Sequence, residues 1–332
     1  MSLEAFRFAL PSKRESASDI AAQTGADEAF IQNKVGLSYR HILSGEETGI
    51  GLATNACREL LESHDLDVSE IDLLICVTQT PDRQLPQNSA GIASALNLPQ
   101  STAAFDIALG CSGFVYAMQV AVGFLRTCGM NKAIVVTCDP YSRNMAAEDK
   151  STNCVFGDAA AATLIVADSA RSQVIAFSCG TDGSRGDAIS IAAGGANLPL
   201  VHLTDSGTDT AAYERDQARL KMNGRGVFNF VLSTVPDSIR ECLDKAGMDL
   251  QDIDYFALHQ GSMFMLDALA KNMGIPQEKV LKNMENYGNT VSSTIPMLLS
   301  DLDHDRKLSG STVLMSGFGV GLSWATAIVK FN

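Results

Sequence analysis

No two of the eight cysteines stand in C-x-x-C spacing, and the five histidines are scattered, so a structural zinc site is not expected. Basic residues are in deficit. Lys and Arg number 25 against 38 Asp and Glu, giving a formal charge of −13. Such a field argues against nucleic acid or an anionic membrane surface as partners. The opening stretch MSLEAFRFALPSKRES lacks an uninterrupted apolar region and predicts no signal peptide. Long apolar runs are also missing. The longest, Phe114 to Leu125, contains Gln119 and Gly123 and is too short to span a bilayer. Dispersed thiols in a chain without these signals predict a reducing, cytoplasmic setting.

What is present is apolar material for a substantial core, 46% of 332 residues, and a chain that repeats itself. RELLESHDLDVSEIDLLICVTQ begins at Arg58 and RECLDKAGMDLQDIDYFALHQ at Arg240. The two align Leu61 with Leu243, Asp67 with Asp249, Ile71 with Ile253 and Asp72 with Asp254. Each reads as an amphipathic helix, an acidic turn and a buried strand. More loosely, KAIVVTCDP (132–140) corresponds to STVLMSGFG (311–319). Strands alternating with helices predict an α/β fold. The segment from Gly113 to Met130 is helical in pattern yet apolar nearly all round, which predicts a helix buried on every side. Two α/β halves with helices between their sheets would bury it so, and one core helix in a large α/β protein would too.

Four stretches carry candidate chemistry. In DIALGCSGF (106–114) an apolar run leads through Cys111 into that helix. A thiol at a helix N-terminus is expected to have a lowered pKa, and the N–H groups there suit an oxyanion. Free cysteines are also among the most buried residues, and Cys111 alone is more readily read that way. His259 ends the strand-like IDYFALHQGS, where ligands gather in α/β sheets, although a hydrogen-bonded core histidine fits as well. Asn289 lies in NYGNTVSST, by itself an ordinary turn. Gly317, Gly319 and Gly321 alternate between two strand-like runs and serve either an anion or a tight hairpin. Cys, His and Asn in this order suit acyl transfer but do not separate condensation from papain-like hydrolysis.

The motifs taken together resemble the β-ketoacyl-acyl-carrier-protein synthase III family of the thiolase superfamily. They are DEAFIQNKVGLSYRHI (27–42), FDIALGCSGFVYAM (105–118), VFGDAAAA (155–162), DGSRGD (182–187), MNGRGVF (222–228), LHQGS (258–262), YGNT (287–290) and GFGVGLSWATAIVKF (317–331), almost end to end. The resemblance implies a thiolase-like five-layer αβαβα fold built from two similar halves, 1–170 carrying the cysteine and 171–332 the histidine and asparagine, assembled as a homodimer. It implies Cys111 as nucleophile, His259 and Asn289 as donors to a malonyl-derived carbanion, and the N–H groups of Cys111 and Val320 as oxyanion donors. An acyl-CoA and a malonyl thioester on an acyl carrier protein would be the substrates, with no metal and no cofactor beyond coenzyme A.

Departures from the family pattern fall on the substrate side. Phe30, Lys34 and Lys150 stand where the family places an aromatic and two arginines around the coenzyme. Leu85 stands at a primer-pocket position that is often aromatic. HQGS puts Ser262 in place of an asparagine, and Phe264 replaces an arginine that docks the carrier. Val320 is a glycine elsewhere. Gly224 and Phe228 belong to the motif where the phosphopantetheine arm is expected. Lys271, with a cluster of Arg215, Arg219, Lys221 and Arg225, would supply the carrier's positive patch. The competing readings are a non-condensing acyltransferase, a cysteine hydrolase and a non-catalytic subunit of a heterodimer.

Overall fold

The computed structural model describes residues 1–199 and 216–332. Two sheets organise them. The first runs in the order Ser2–Ala9, Ala160–Val166, Lys132–Cys138, Leu73–Val77, Ala103–Ile107. Its first two pairings are antiparallel and its last two parallel. The second runs Ser172–Thr181, Ser323–Phe331, Thr312–Gly319, Tyr255–Leu258, with two antiparallel pairings followed by a parallel one. The orders match strand for strand. At the fifth position the second sheet keeps a single parallel bridge, Phe256 to Val280.

The internal repeat falls on this symmetry. Leu73–Val77 and Tyr255–Leu258 hold equivalent places, as do Lys132–Cys138 and Thr312–Gly319. The repeated acidic residues do equivalent work. Asp72 accepts from the N–H groups of Asn131 (2.7 Å) and Lys132 (3.1 Å), and Asp254 accepts from Thr312 N–H at 2.8 Å. In each half a carboxylate before one strand fastens the start of its parallel neighbour, which fixes the register of the pair.

Helices Gly113–Cys128 and Thr294–His304 lie between the sheets. Phe114, Met118, Ile295 and Leu299 pack with Ile75 and Val135 of the first sheet and Met315 and Val329 of the second. Helix Gly49–Ser63 covers the outer face of the first sheet, and Gly224–Ala246 that of the second. The result is five layers, helix, sheet, helix, sheet, helix. The 113–128 helix is less enclosed than its composition predicts. Tyr116, Val120 and Phe124 are half-buried, and Gly123, Arg126 and Thr127 reach the surface. The reason is local. The first sheet ends at Ala103–Ile107, whose five residues are all half-buried, with Phe105 against Phe124 at 5.4 Å between ring centroids. Among the described residues no helix is long and apolar enough to cross a membrane.

Arg40 ties the N-terminal segment to the centre. It is 1% exposed and donates to Glu15 Oε2 (2.7 Å from Nη2), to Asn153 Oδ1 (2.6 Å) and to the Phe156 carbonyl (2.9 Å). The strap it holds pairs in turn with Asn289, through Asn289 N–H to Val155 O (2.9 Å) and Gly157 N–H to Asn289 O (3.0 Å). Removing one partner of a buried ion pair strands the other. Arg40→Met should therefore lower the unfolding free energy by about 3–5 kcal/mol, as read by urea denaturation. A loss no larger than that of an exposed arginine would refute this role.

Candidate active site

Cys111 stands immediately before Ser112, the N-cap of the 113–128 helix. The turn is closed by Gly113 N–H donating to Gly110 O at 2.7 Å. Strand Thr312–Gly319 passes directly beneath it. A Cβ on Gly317 would lie 2.6 Å from the Cys111 carbonyl oxygen, and one on Gly319 would lie 2.8 Å from Cys111 Sγ. Only glycine lets the strand approach so closely. The same strand forms an antiparallel hairpin with Ser323–Phe331, so tight packing and exposure of backbone donors coexist.

His259 follows strand Tyr255–Leu258, and Asn289 follows the short helix Met284–Tyr287. Both meet Cys111 in one cavity of about 700 Å³. All three are nearly inaccessible, at 4%, 3% and 4% exposure for Cys111, His259 and Asn289. Val291 orients both partners. Its N–H donates to Asn289 Oδ1 at 2.9 Å, which leaves the Asn289 NH2 as the free end of the amide. Its carbonyl lies 3.1 Å from the Thr294 hydroxyl, and that hydroxyl is 2.9 Å from His259 Nδ1. Val291 does this from the left-handed region, at φ 54°, where a β-branched residue is strained. The edge of the His259 ring geometry is fixed by Phe318, perpendicular to it at 5.5 Å.

Burial sets the protonation states. The Cys111 thiol is pushed up to about 12, first by loss of water and then by the charge of Asp139. The N–H groups of Cys111 and Val320 pull the other way, so both face the sulfur. The lowered pKa expected from the helix N-terminus is therefore not found, because desolvation of a fully enclosed thiol outweighs the helix end. Burial likewise drives His259 down to about 3, with the Val291 carbonyl opposing. The resting site holds a neutral thiol and a neutral imidazole, not a thiolate–imidazolium pair.

Phe30, Lys34, Lys150, Gly224, Arg225, Phe228, Ser262 and Val320 all line this cavity. The Ser262 hydroxyl is engaged, capping helix Met263–Met273 by accepting from Met265 N–H at 3.2 Å. Lys150 donates to Gly25 O at 2.8 Å, and Lys34 lies over the ring of Phe264, which stacks on Phe228 at 5.3 Å. Leu85 does not line the cavity of its own chain and is 86% exposed. Lys271 is exposed on helix 263–273, outside the cavity. Arg219 also lies outside it and donates to Met145 O at 3.0 Å, and Lys221 pairs with Asp216. Arg215 is outside the described residues. The sequence reading missed Tyr141, Phe156, Met222, Met265 and Phe318 in the lining. Tyr141 had a signal, since it follows the end of strand 132–138, where α/β sheets place their ligands. Met222, Met265 and Phe156 are ordinary apolar positions until the fold assembles them.

Two outcomes follow from this geometry. Alkylation of Cys111 by iodoacetamide should rise without a plateau from about pH 6 to about pH 10, because the thiolate fraction keeps growing below the thiol pKa. A plateau near neutrality would contradict the buried neutral thiol. Gly319→Ala should fold but resist acylation and alkylation at Cys111, the new methyl occupying the space beside Sγ. Intact mass spectrometry reads both.

Comparison with known proteins identifies the family. Residues 105–183 match the family model described as 3-Oxoacyl-[acyl-carrier-protein (ACP)] synthase III, and residues 243–331 match its C-terminal counterpart. The chain is 33% identical over 324 residues to the beta-ketoacyl-[acyl-carrier-protein] synthase III of Lactococcus lactis subsp. lactis, covering 97% of this chain and 96% of that one. It is 34% identical to the enzyme of that name from Streptococcus suis, over 97% and 96%. A solved 3-oxoacyl-(acyl-carrier-protein) synthase III superimposes with a TM-score of 0.92 at 34% identity, covering 99% of both chains. The priming beta-ketosynthase of the R1128 polyketide pathway follows at 0.86 and 26%, over 99% of this chain and 96% of that one. At this identity and over nearly the whole length of both chains, the chain belongs to the β-ketoacyl-acyl-carrier-protein synthase III family.

Proposed function

We propose that this protein catalyses decarboxylative condensation of an acyl-CoA primer with malonyl-acyl-carrier protein, giving a 3-ketoacyl thioester. The observation that carries the reading is the convergence of Cys111, His259 and Asn289 on one cavity, with two backbone N–H groups facing the sulfur. Cys111 Sγ attacks the primer carbonyl, and the oxyanion is held by the N–H groups of Cys111 and Val320. The coenzyme sulfur leaves with the thiol proton. Malonyl thioester then enters and loses CO2, and its enolate oxygen takes hydrogen bonds from His259 and Asn289. The Asn289 NH2 is available because Oδ1 is held by Val291. His259 offers a proton from Nε2 in the tautomer whose Nδ1 accepts from the Thr294 hydroxyl, 2.9 Å away, which requires that hydroxyl to turn from the Val291 carbonyl it otherwise donates to. The enolate carbon attacks the S-acyl carbonyl, and Cys111 leaves as a thiolate and is reprotonated. The acid–base demand is small, which suits a histidine held neutral.

The wall of the cavity is largely apolar, with Phe30, Val155, Phe156, Val227, Phe228 and Phe318 among its residues, and suits an acyl chain. Lys34, Lys150 and Arg225 at the same cavity suit the phosphates of a coenzyme or carrier arm. The carrier docks through Lys271 and Arg225, since the Arg219 guanidinium is already engaged at Met145. The functional unit is a homodimer. The half-exposed edge strand Ala103–Ile107 and the Tyr116, Val120, Phe124 strip beside it form its interface, and Leu85 reaches a primer cavity from the partner side.

Incubation with a panel of acyl-CoAs should add an acyl mass that Cys111→Ala abolishes and Cys154→Ala retains. His259→Ala and Asn289→Ala should still acquire it, yet decarboxylate malonyl thioester about 10²–10³-fold more slowly. An adduct persisting in Cys111→Ala, or both mutants failing acylation with decarboxylation intact, would overturn the roles. Lys271→Glu should raise KM for malonyl carrier protein and leave that for malonyl-CoA nearly unchanged, with a larger gap at low salt. Wild-type rates equal for the two donors, and insensitive to this change, would point to a free thioester as second substrate.

A further inference from the structure

Asp139 is a fully buried carboxylate that the reaction above does not use. It follows strand Lys132–Cys138 in the N-terminal half. Oδ1 accepts from Gln79 N–H at 2.7 Å, and Oδ2 accepts from the hydroxyl of Ser292 in the C-terminal half. Burial pushes its pKa up to about 6, against the Gln79 N–H, the Ser292 hydroxyl and N–H and the Thr78 hydroxyl, all of which favour the charged form. These donors are all neutral, and together they satisfy a charge that would otherwise be costly to bury. Ser292 is the residue after Val291, whose left-handed turn aims Asn289 and supports Thr294 against His259. Strained backbone of this kind persists only where its surroundings over-determine it. Ser292 is held from outside the turn by Asp139.

We propose that Asp139 is a positioning residue that acts through Ser292, fixing the 289–294 turn so that Asn289 and His259 face the cavity that Cys111 enters from the other half. The same carboxylate also bears on the nucleophile. Its charge opposes ionisation of Cys111 and of Tyr141, whose hydroxyl donates to Gln79 Oε1 at 2.9 Å. Burial keeps the Cys76 and Cys138 thiols neutral, and the charge of Asp139 adds to this. Burial is the main reason that Cys111 rests as a thiol, and the charge of Asp139 adds to it. The two effects are separable, one through a hydrogen bond to Ser292 and one through charge.

Asp139→Asn and Ser292→Ala separate them by intact-mass acylation, CO2 release from malonyl thioester, and the pH profile of iodoacetamide alkylation at Cys111. The split between half-reactions rests on the function proposed above, whereas the alkylation profile does not. In Asp139→Asn the profile should move to lower pH by about one unit, and CO2 release should fall about 10²-fold relative to acylation. In Ser292→Ala the CO2 release should fall with the alkylation profile unmoved. Half-reaction rates that drop in equal proportion in both variants, with an unshifted profile in Asp139→Asn, would make Asp139 merely structural and overturn the proposal. If Asp139→Asn does not fold, an unchanged rate ratio in Ser292→Ala overturns it alone. Normal CO2 release by Asn289→Ala would instead sink the functional reading, and the alkylation profile would still judge Asp139.

Discussion

The site depends on two missing side chains. Strand Thr312–Gly319 belongs to one half and the Cys111 turn to the other, and they touch where Gly317 and Gly319 leave no Cβ between them. Everything chemical is built on that contact. It brings the Val320 N–H to the sulfur, sets Phe318 against His259 and seats the 113–128 helix between the sheets. A methyl at Gly317 would press on the Cys111 carbonyl and on Ser112 Cα, which are backbone and cannot move aside as a flexible side chain can. The interface between the halves is thus a packing constraint first and a catalytic arrangement because of it.

Enclosure has an electrostatic consequence. A helix end stabilises a thiolate where water and field lines can reach it, but Cys111 is almost wholly enclosed at the cavity wall, and its ionisation is opposed more than it is aided. The same dryness holds His259 neutral. A site prepared in this way does little until a thioester carbonyl arrives between the donors. Those donors then act at full strength, because no solvent competes for the developing charge. Neutral resting groups and strong transition-state donors are two results of the same burial.

Several of these features were legible in the chain. The paired aspartates Asp72 and Asp254 mark equivalent strand junctions, and their alignment within the repeat was compatible with the two matching halves that the family resemblance implied. Cys111, His259 and Asn289 were visible as residue types at element ends, and alternate glycines announced a close approach. Hidden were the features that depend on three-dimensional closure. Nothing in NTVSST signals that Val291 takes a left-handed conformation, since valine is a poor candidate for it. The direction of the Cys111 shift was misjudged because helix-end position is local while burial is global. Leu85 was assigned to the pocket by alignment of a motif, yet its own chain turns it outward. Ser262 does line the cavity, and the sequence did not show that its hydroxyl also caps helix Met263–Met273.

The mouth of the cavity shows how an acidic chain can receive an anionic substrate. A net charge of −13 repels such a ligand at long range, but the field at contact is set by neighbours within about a Debye length, roughly 8–10 Å at physiological salt. Lys34, Lys150 and Arg225 all line the cavity. Phe264 does not add to them, and it is not neutral in effect. Stacked on Phe228 and lying under Lys34, it offers the ammonium a ring face and restricts where that charge can go. An arginine here would add a charge free to swing outward towards a partner. A phenylalanine keeps the positive charge at the rim of the cavity, and Lys271, further along the same helix, is left as the exposed cation. The exchange trades long-range steering for local definition of the entrance, and the half-exposed ring at the lip is its physical cost.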